Sequence, residues 1–484
     1  RVYLHSQGES NMGISMRGPF AERVQRFVVP EVRKLVRNNS KSYPDPLRRL
    51  EAKYVERVNW PKSQYSAPEM LKTLLKYRDA PLYPKWFEDR SGAFEDWEHY
   101  ADWWSQQGLL FPFFKSRQYT FSTVGRDLSK GAGLPKMGPK RRQLGAAAQY
   151  AEDIKSDPSK SAWIILPGHR TQMAEPEVTK SRPIWGDPIS EWYLEVEAFA
   201  DSIQQTVDHA QSDRKDVQVA YAAPEVIRKY IFEREWTSAV VLDSVQFDRS
   251  VSAWEIANTH KWAAPDYPAI EHVIDHICRC PIALPDGSLL DRVAGVPSGK
   301  VTTNSLCDGA NNLFDVDHAI CELKLDKYAK GWIVNGDDIA ILFNTLITDS
   351  NIKGIADKST REIDPDKCWN DANGVWFSKV LYLPEYYCKP AFLVLNSIMM
   401  REHEADALTA SAAYVAVSTA QQVEWLHSHP DGERIAKLIK AQDKHPIETI
   451  PDDQLRQALD LYKNKHNWME ETGQMEDMDA LPES

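Results

Sequence analysis

The stretch from Gly331 to Phe343, GWIVNGDDIAILF, constrains the fold of this chain more than any other. Two apolar runs flank Asn335-Gly336, a dipeptide that favours the tight turn of a β-hairpin because both residues tolerate positive φ. Antiparallel pairing is therefore expected here, with Asp337 and Asp338 carried to the tip. Turns favour Asp for solvation alone. By average composition a chance Gly-Asp-Asp is expected in about one chain in ten of this length. The two acids acquire meaning only through companions elsewhere.

One companion is VVLDSVQFDRS. The run Ala239 to Leu242 has the look of a buried strand; it ends at Asp243, and Asp248 follows beyond Phe247. If this strand lies beside the hairpin, Asp243 and Asp337 converge. Clustered carboxylates on adjacent strand ends suit two magnesium ions, which are hard and take oxygen ligands. The second companion is GVPSGKVTTNSLCDGANN, Gly295 to Asn312. A Pro-Ser-Gly turn leads into a helix whose first residues carry hydroxyls and amides. Helix starts and Gly-rich turns offer free N–H donors, so Ser298, Thr303 and Asn304 are placed to line a ribose or a nucleic-acid backbone.

Around these segments the pattern is coarse but consistent. Residues 1–120 read as helices broken by prolines, with Trp97, Tyr100, Trp103 and Trp104 spaced as one packed helix face. Phe121 to Leu144 reads as a Gly- and cation-rich loop, and Ser190 to Ala210 as a helix. Pro281 to Arg292 carries a second hairpin signal at Asp286-Gly287. A helix is expected over Leu306 to Ala329 and a strand over Val375 to Leu383. Helices follow again through Ala407 to Tyr414 and Asp453 to Tyr462. A small antiparallel sheet between two helical regions is the expected α+β arrangement.

Taken in order, D-x4-D in VLDSVQFD, PSG with T-N after it, and GDD in VNGDD resemble motifs A, B and C of viral RNA-dependent RNA polymerases. The detail is similar to the partitivirus group, with picobirnaviruses also close. TKSRPIWGDPISEWYLEVEAF, Thr179 to Phe199, resembles motif F and its continuation. Gly131 to Arg142 (GAGLPKMGPKRR) is similar to motif G, where template enters. DPDKCW and VWFSKVLY fall where motifs D and E would lie.

The resemblance implies a right-hand polymerase with a small antiparallel palm sheet and mostly helical fingers and thumb. It implies an N-terminal region at 1–120 bracing fingers and thumb, and fingers at 121–235 and 256–290. Palm would occupy 236–255 and 291–388, with thumb and acidic tail at 389–484. Asp243 and Asp337 would be the principal metal ligands, with Asp338 assisting, for Mg2+ or alternatively Mn2+. Asp248 would read the incoming ribose with Ser298, Gly299, Thr303 or Asn304. Lys180 and Arg182, joined by Arg170, would hold the triphosphate, and Lys367 would be the general acid. Lys136, Lys140, Arg141 and Arg142 would contact RNA. Many plus-strand virus polymerases carry Asn nine residues after the motif B Ser, and here that position is Cys307. The partitivirus-like pattern has acid and amide further along, matched by Asp308 and Asn312, so the partner of Asp248 stays open.

Charge is the apparent objection, since the net value is −12. Fields act locally, however. Arg126, Lys130, Lys136, Lys140, Arg141 and Arg142 stand against the single acid Asp127, whereas Glu470 to Ser484 contains no Lys or Arg. That tail is expected to be a solvated end. The apolar and charged fractions, 42% and 26%, are those of an ordinary folded protein. No apolar run suits a membrane span or signal peptide. Cysteines are few, as in a reducing cytosol, and Cys278 and Cys280 are expected to be buried thiols. The partners implied are template and product RNA, nucleoside triphosphates and a viral capsid protein, in the host cytoplasm within the virion. A reverse transcriptase would share the metal acids but usually places an aromatic residue where Asp248 stands. A non-enzymatic RNA-binding or capsid-associated protein would use the acids only as turns.

Overall fold

The computed structural model describes residues 19–453, apart from 59, 62, 64, 88–96, 108, 124–125, 127, 129–130, 136–137, 162, 171–173, 177–181, 213–217, 220, 400–409, 445–448 and 450. Lys130, Lys136, Lys180, the C-terminal tail and nearly all of the helix expected at 453–462 lie outside the described residues.

Prolines start the N-terminal helices rather than merely breaking them. Helix α1 (Pro19–Arg23) runs through a π turn into α2 (Val29–Asn39), and α3 (Asp45–Arg57) and α4 (Ala67–Leu75) follow. Pro30, Pro46 and Pro68 occupy their first turns, where the missing N–H costs nothing. The apolar faces of α1–α3 pack against segments from the far end of the chain, including Leu381, Phe392, Leu395, Leu426 and Ile435. Asn39 donates to Asp431, and buried Glu51 meets His429 at 2.9 Å. Helix α5 (Trp97–Gln106) buries Trp97, Tyr100 and Trp104, with the Tyr100 ring 4.1 Å from that of Phe314.

Helix α6 (Lys140–Ser156) begins inside the stretch expected to be loop, so Lys140, Arg141 and Arg142 form its first turn. The ribbon β1 (Leu166–Arg170) and β2 (Arg182–Gly186) leads into α7 (Ile189–Ala210), which packs on α6. After β3 (Gln218–Val219) and α8 (Pro224–Phe232) comes β4 (Ser238–Leu242), buried at every position. Helices α9 (Ala253–Ala263) and α10 (Ile270–Arg279) precede the small hairpin β5 (Ile282–Ala283) and β6 (Leu289–Leu290), as expected from Asp286-Gly287. Cys278 and Cys280 are buried thiols, each pushed up to about 12 by burial.

A π-helical stretch, Thr303–Ala310, opens helix α11 (Asn311–Glu322). The helix expected to reach Ala329 stops seven residues short, where Lys324 takes φ +59°. Strands β7 (Ala329–Asn335) and β8 (Asp338–Phe343) then form the expected hairpin. Helix α12 (Asp349–Lys358) and β9 (Trp369–Asp371) follow. The single strand expected at 375–383 is a hairpin instead, β10 (Val375–Phe377) and β11 (Val380–Tyr382). Its turn residues Ser378 and Lys379 both have positive φ, the type I′ geometry, without the Gly or Asn that usually signals it. Strand β12 (Tyr387–Cys388) completes that sheet, and α13 (Ala391–Met399), α14 (Ala410–Glu424) and α15 (Gly432–Lys440) end the described chain.

The central sheet has the order β3-β7-β8-β4-β9, antiparallel throughout except for its short parallel edge β3–β7. Helices cover it, and the largest core cluster surrounds Val240, Leu242, Ile339 and Ile341. No helix among the described residues is long and apolar enough to cross a membrane.

Candidate active site

Register brings the acids together. Leu242 pairs with Ile339 across β4 and β8, so the next opposed positions are Asp243 and Asp338. Opposed antiparallel residues lie about 4.5–5.5 Å apart at Cα. Asp337 sits in the turn beyond, which Asn335 and Asp338 close as a pair. Gly336, with φ +60°, is its first central residue, so the turn is centred on Gly336-Asp337 rather than on Asn335-Gly336. The pattern is that of a type II′ turn.

The three carboxyls disturb one another. Burial raises the pKa of Asp338 to about 6, reinforced by the charges of Asp337 and Asp243 and opposed by a hydrogen bond from Ser378 Oγ at 3.2 Å. Burial raises Asp243 as well, with Asp337 adding to the rise and Lys367 and Lys53 opposing it. Among the described residues no three acids or imidazoles close on one point as a complete ligand cage. Magnesium does not require one, since it keeps several waters and binds through one or two carboxylates plus substrate phosphates. The oxygen donors of Asp243 and Asp337, with Asp338 close by, fit that ion or manganese.

A hydrogen-bonded frame holds the tip. Asn304 Nδ2 donates to Asn335 Oδ1 at 3.0 Å, and Asn335 Nδ2 donates to Ser378 Oγ at 3.0 Å. Asn312 Nδ2 reaches the carbonyls of Gly336 and Asp337. Behind them Arg361, fully buried, pairs with Glu255 at 2.6 Å and donates to Ser250 O and Asn311 O. One side chain thereby joins the motif A loop to the motif B helix.

The partner of Asp248 is Asp308. Burial holds the Asp308 carboxyl well above the carboxylate range, and the charges of Asp248 and Asp337 raise it further, with a hydrogen bond shared with Asp248. Of the pair it is the more deeply buried carboxyl, and its Oδ1 has no partner among the described residues. The expected alternatives are engaged elsewhere: Thr303 Oγ1 accepts from Gly299 N at 3.1 Å, and Asn304 from motif B reaches Asn335. Ser298, half-exposed, sits with Gly299 at the head of the same turn.

The π turn explains the spacing. Cys307 N bonds Thr302 O five residues back at 3.0 Å, which widens the helix by one residue per turn. Cys307 is thereby directed to Thr302 and His260, with sulfur distances of 3.2 and 3.6 Å. Asp308 takes the place facing Asp248. Gly309 is required there, since a Cβ would lie 2.7 Å from Asn304 O.

Two lysines, Lys367 and Lys53, act on Asp243. Lys367 is bonded to Asp364, whose hydrogen bond and charge, with that of Asp243, hold its pKa above the usual ammonium value. Arg170 and Arg182 are directly opposed in the β1–β2 register. Lys140 donates to Gly131 O at 2.9 Å and lies over Trp192, in a helix first turn where the dipole disfavours cations. Lys53 in α3, which sequence reading gave no reason to single out, feels the charges of Asp243 and Lys367.

A palm-type sheet with strand-end acids, helical surroundings and the paired Asp248 and Asp308 beside them define a template-directed nucleotidyl polymerase of the right-hand class. The sequence model of the family described as viral RNA-dependent RNA polymerase matches residues 55–428, and the chain belongs to that family of RNA-directed RNA polymerases. The fold is shared with the crystal structure of the RNA-dependent RNA polymerase of a human picobirnavirus, at 15% identity and a TM-score of 0.72, covering 99% of this chain and 96% of that one. The insertion-loop deletion mutant of a human picobirnavirus polymerase gives 15% identity and a TM-score of 0.73, covering 97% and 96%. Comparison with curated proteins finds no match.

Proposed function

We propose that this polymerase transfers ribonucleotides from nucleoside triphosphates to an RNA 3′-end by two-metal-ion catalysis, replicating and transcribing a double-stranded RNA genome. The opposed placement of Asp243 and Asp338, with Asp337 in the turn beyond, carries this reading. Asp243 and Asp337, assisted by Asp338, hold the ions. Bound Mg2+ or Mn2+ supplies activation of the 3′-hydroxyl and neutralises charge on the leaving pyrophosphate.

The protein's own groups do the rest. Arg182 and Arg170, with Lys180, hold the triphosphate and offset charge that builds in the transition state. Lys367 gives its Nζ proton to the pyrophosphate oxygen as the bond to phosphorus breaks. Asp308 and Asp248 take the 2′-hydroxyl of the incoming sugar into their hydrogen-bond pair. A deoxyribose would leave that pair one partner short, which penalises it. Ser298 and Gly299 shape the turn beside it, with Thr303 holding the Gly299 amide. Lys136, Lys140, Arg141 and Arg142 bind the RNA backbone.

The fold shared with a picobirnavirus polymerase supports a double-stranded RNA virus, and the partitivirus likeness rests on motif spelling alone. The same reading places the enzyme with a capsid protein inside a virion in the host cytoplasm. The test is nucleotide incorporation on single-stranded RNA with magnesium, native chain against Asp337→Ala. Incorporation that vanishes in the variant supports the proposal. Equal inactivity of both proteins with primer and manganese, alongside equal RNA binding, would favour the binding-protein alternative.

A further inference from the structure

Helix α3 belongs to the N-terminal region, outside the recognised motifs, yet it carries Arg49, Lys53 and Arg57 at a spacing that sets them in one row. Two of the three are spoken for. Arg49 pairs with Asp371 and lies 4.5 Å over Trp369, and Arg57 lies over Tyr54 and Trp60. Lys53 has no hydrogen-bond or ion-pair partner among the described residues.

Its position follows from its neighbours. Trp369 and Asp371 belong to β9, which pairs with β4 through Val241 and Trp369, close to where β4 ends at Leu242, one residue before Asp243. Cys368, next to Trp369, accepts a bond from Asp243 N at 3.5 Å, and Lys367 precedes it. One turn along α3 from the Arg49 anchor therefore brings Lys53 to the side of the site that holds Lys367. The mutual charge interactions of Lys53 with Asp243 and Lys367 agree with that placement. Lys53 is open to solvent, while the protein around it makes desolvation the main influence lowering its pKa. The ammonium is thus accessible from solvent yet has protein close around it. Lys53 and Lys367 set two ammonium groups beside the clustered carboxylates; with metal ions offsetting those acids, the ammonium groups would face a multiply charged anion.

We propose that Lys53 binds the β- and γ-phosphates of the incoming nucleoside triphosphate, and the pyrophosphate that leaves, alongside Lys367. This rests on the reading of Asp243 and Lys367 as members of the polymerase centre. It makes the N-terminal region part of the substrate site as well as a structural brace.

The experiment is single-nucleotide incorporation by the full chain on a primed RNA template, comparing the native protein with Lys53→Gln and Lys53→Arg. Loss of one charge-assisted phosphate contact is expected to raise the KM for nucleotide and the inhibition constant of inorganic pyrophosphate about tenfold. RNA affinity and thermal midpoint should be unchanged, with kcat altered less than KM. Lys53→Arg should restore both constants to near the native values. Unchanged KM and pyrophosphate inhibition would overturn the proposal, and weaker RNA binding at unchanged KM would reassign Lys53 to the RNA backbone. Persistent incorporation by Asp337→Ala would instead sink the underlying catalytic reading, so the two failures are distinguishable.

Discussion

Asn312 donates its side-chain amide to the Asp337 carbonyl oxygen at 3.0 Å, and to that of Gly336 at 3.2 Å. The tip of the β7–β8 hairpin is thus fastened from the motif B helix. Asn312→Ala would leave two carbonyls without this donor, a loss of about 1–3 kcal/mol. Because the turn positions Asp337, the expected result is a fall in kcat of about tenfold or more, with RNA binding intact. Steady-state incorporation together with RNA affinity checks it, and unchanged kcat would show that the turn holds itself.

The Asp248–Asp308 pair predicts how sugars are told apart. Asp308→Ala should lower the preference for ribo- over deoxyribonucleotide by at least about tenfold, the scale of one lost hydrogen bond to a charged group. Cys307→Ala, a change on the side facing His260 and Thr302, should leave that preference alone. The readout is the ratio of kcat/KM for matched ribo- and deoxy-triphosphates. Equal effects from both variants would contradict the assignment of Asp308.

The raised carboxyl at Asp338 gives a pH dependence with a definite sign. Its folded pKa of about 6, set by burial first and then by Asp337, exceeds the unfolded value of 3.8. The fold therefore holds this proton between those values while the unfolded chain does not. Its stabilising contribution is complete below the unfolded pKa and is lost as pH rises through about 6. Without metal, the thermal midpoint should decline across that window, and added Mg2+ should raise it most above pH 6. Asp338→Asn should flatten part of the metal-free decline, so a variant with the native slope would count against this account.

Arg361 and Glu255 are both inaccessible to solvent and depend on each other. Removing one partner leaves an uncompensated buried charge, which costs about 3–5 kcal/mol. Arg361→Ala should lower the urea midpoint accordingly. The double replacement Arg361→Met with Glu255→Leu should recover much of that loss. A single variant as stable as the native chain would show that water reaches the pair.

Local chemistry made part of this site readable beforehand. The apolar runs on either side of Asn335-Gly336 signal the hairpin, and the buried run leading to Asp243 can pair with β8 in a register that brings the acids together. Three features left no such trace. The β10–β11 turn uses Ser378-Lys379, residues without the usual licence for positive φ, so the segment reads as one strand. The N-terminus of α6 opens with three cations, the reverse of the usual helix-start signal, and reads as loop. Lys53 is remote in sequence from Asp243, and only tertiary packing of α3 against β9 brings them near. In each case a long-range contact or an unusual residue choice overrides the local preference.

The π turn ahead of α11 stores one surplus residue without passing the shift to the rest of the helix. It works as a vernier: Ser298 and Asn312 each keep their station while the count between them grows by one. A pattern anchored at a fixed distance from Ser298 lands on Cys307, whose sulfur faces the interior. One that anchors on Asp308 and Asn312, and lets the distance from Ser298 float, finds the residues that face Asp248 and the turn. A change of one residue in this stretch would thus be taken up by the width of the turn, at the point where Gly309 leaves room for Asn304 O.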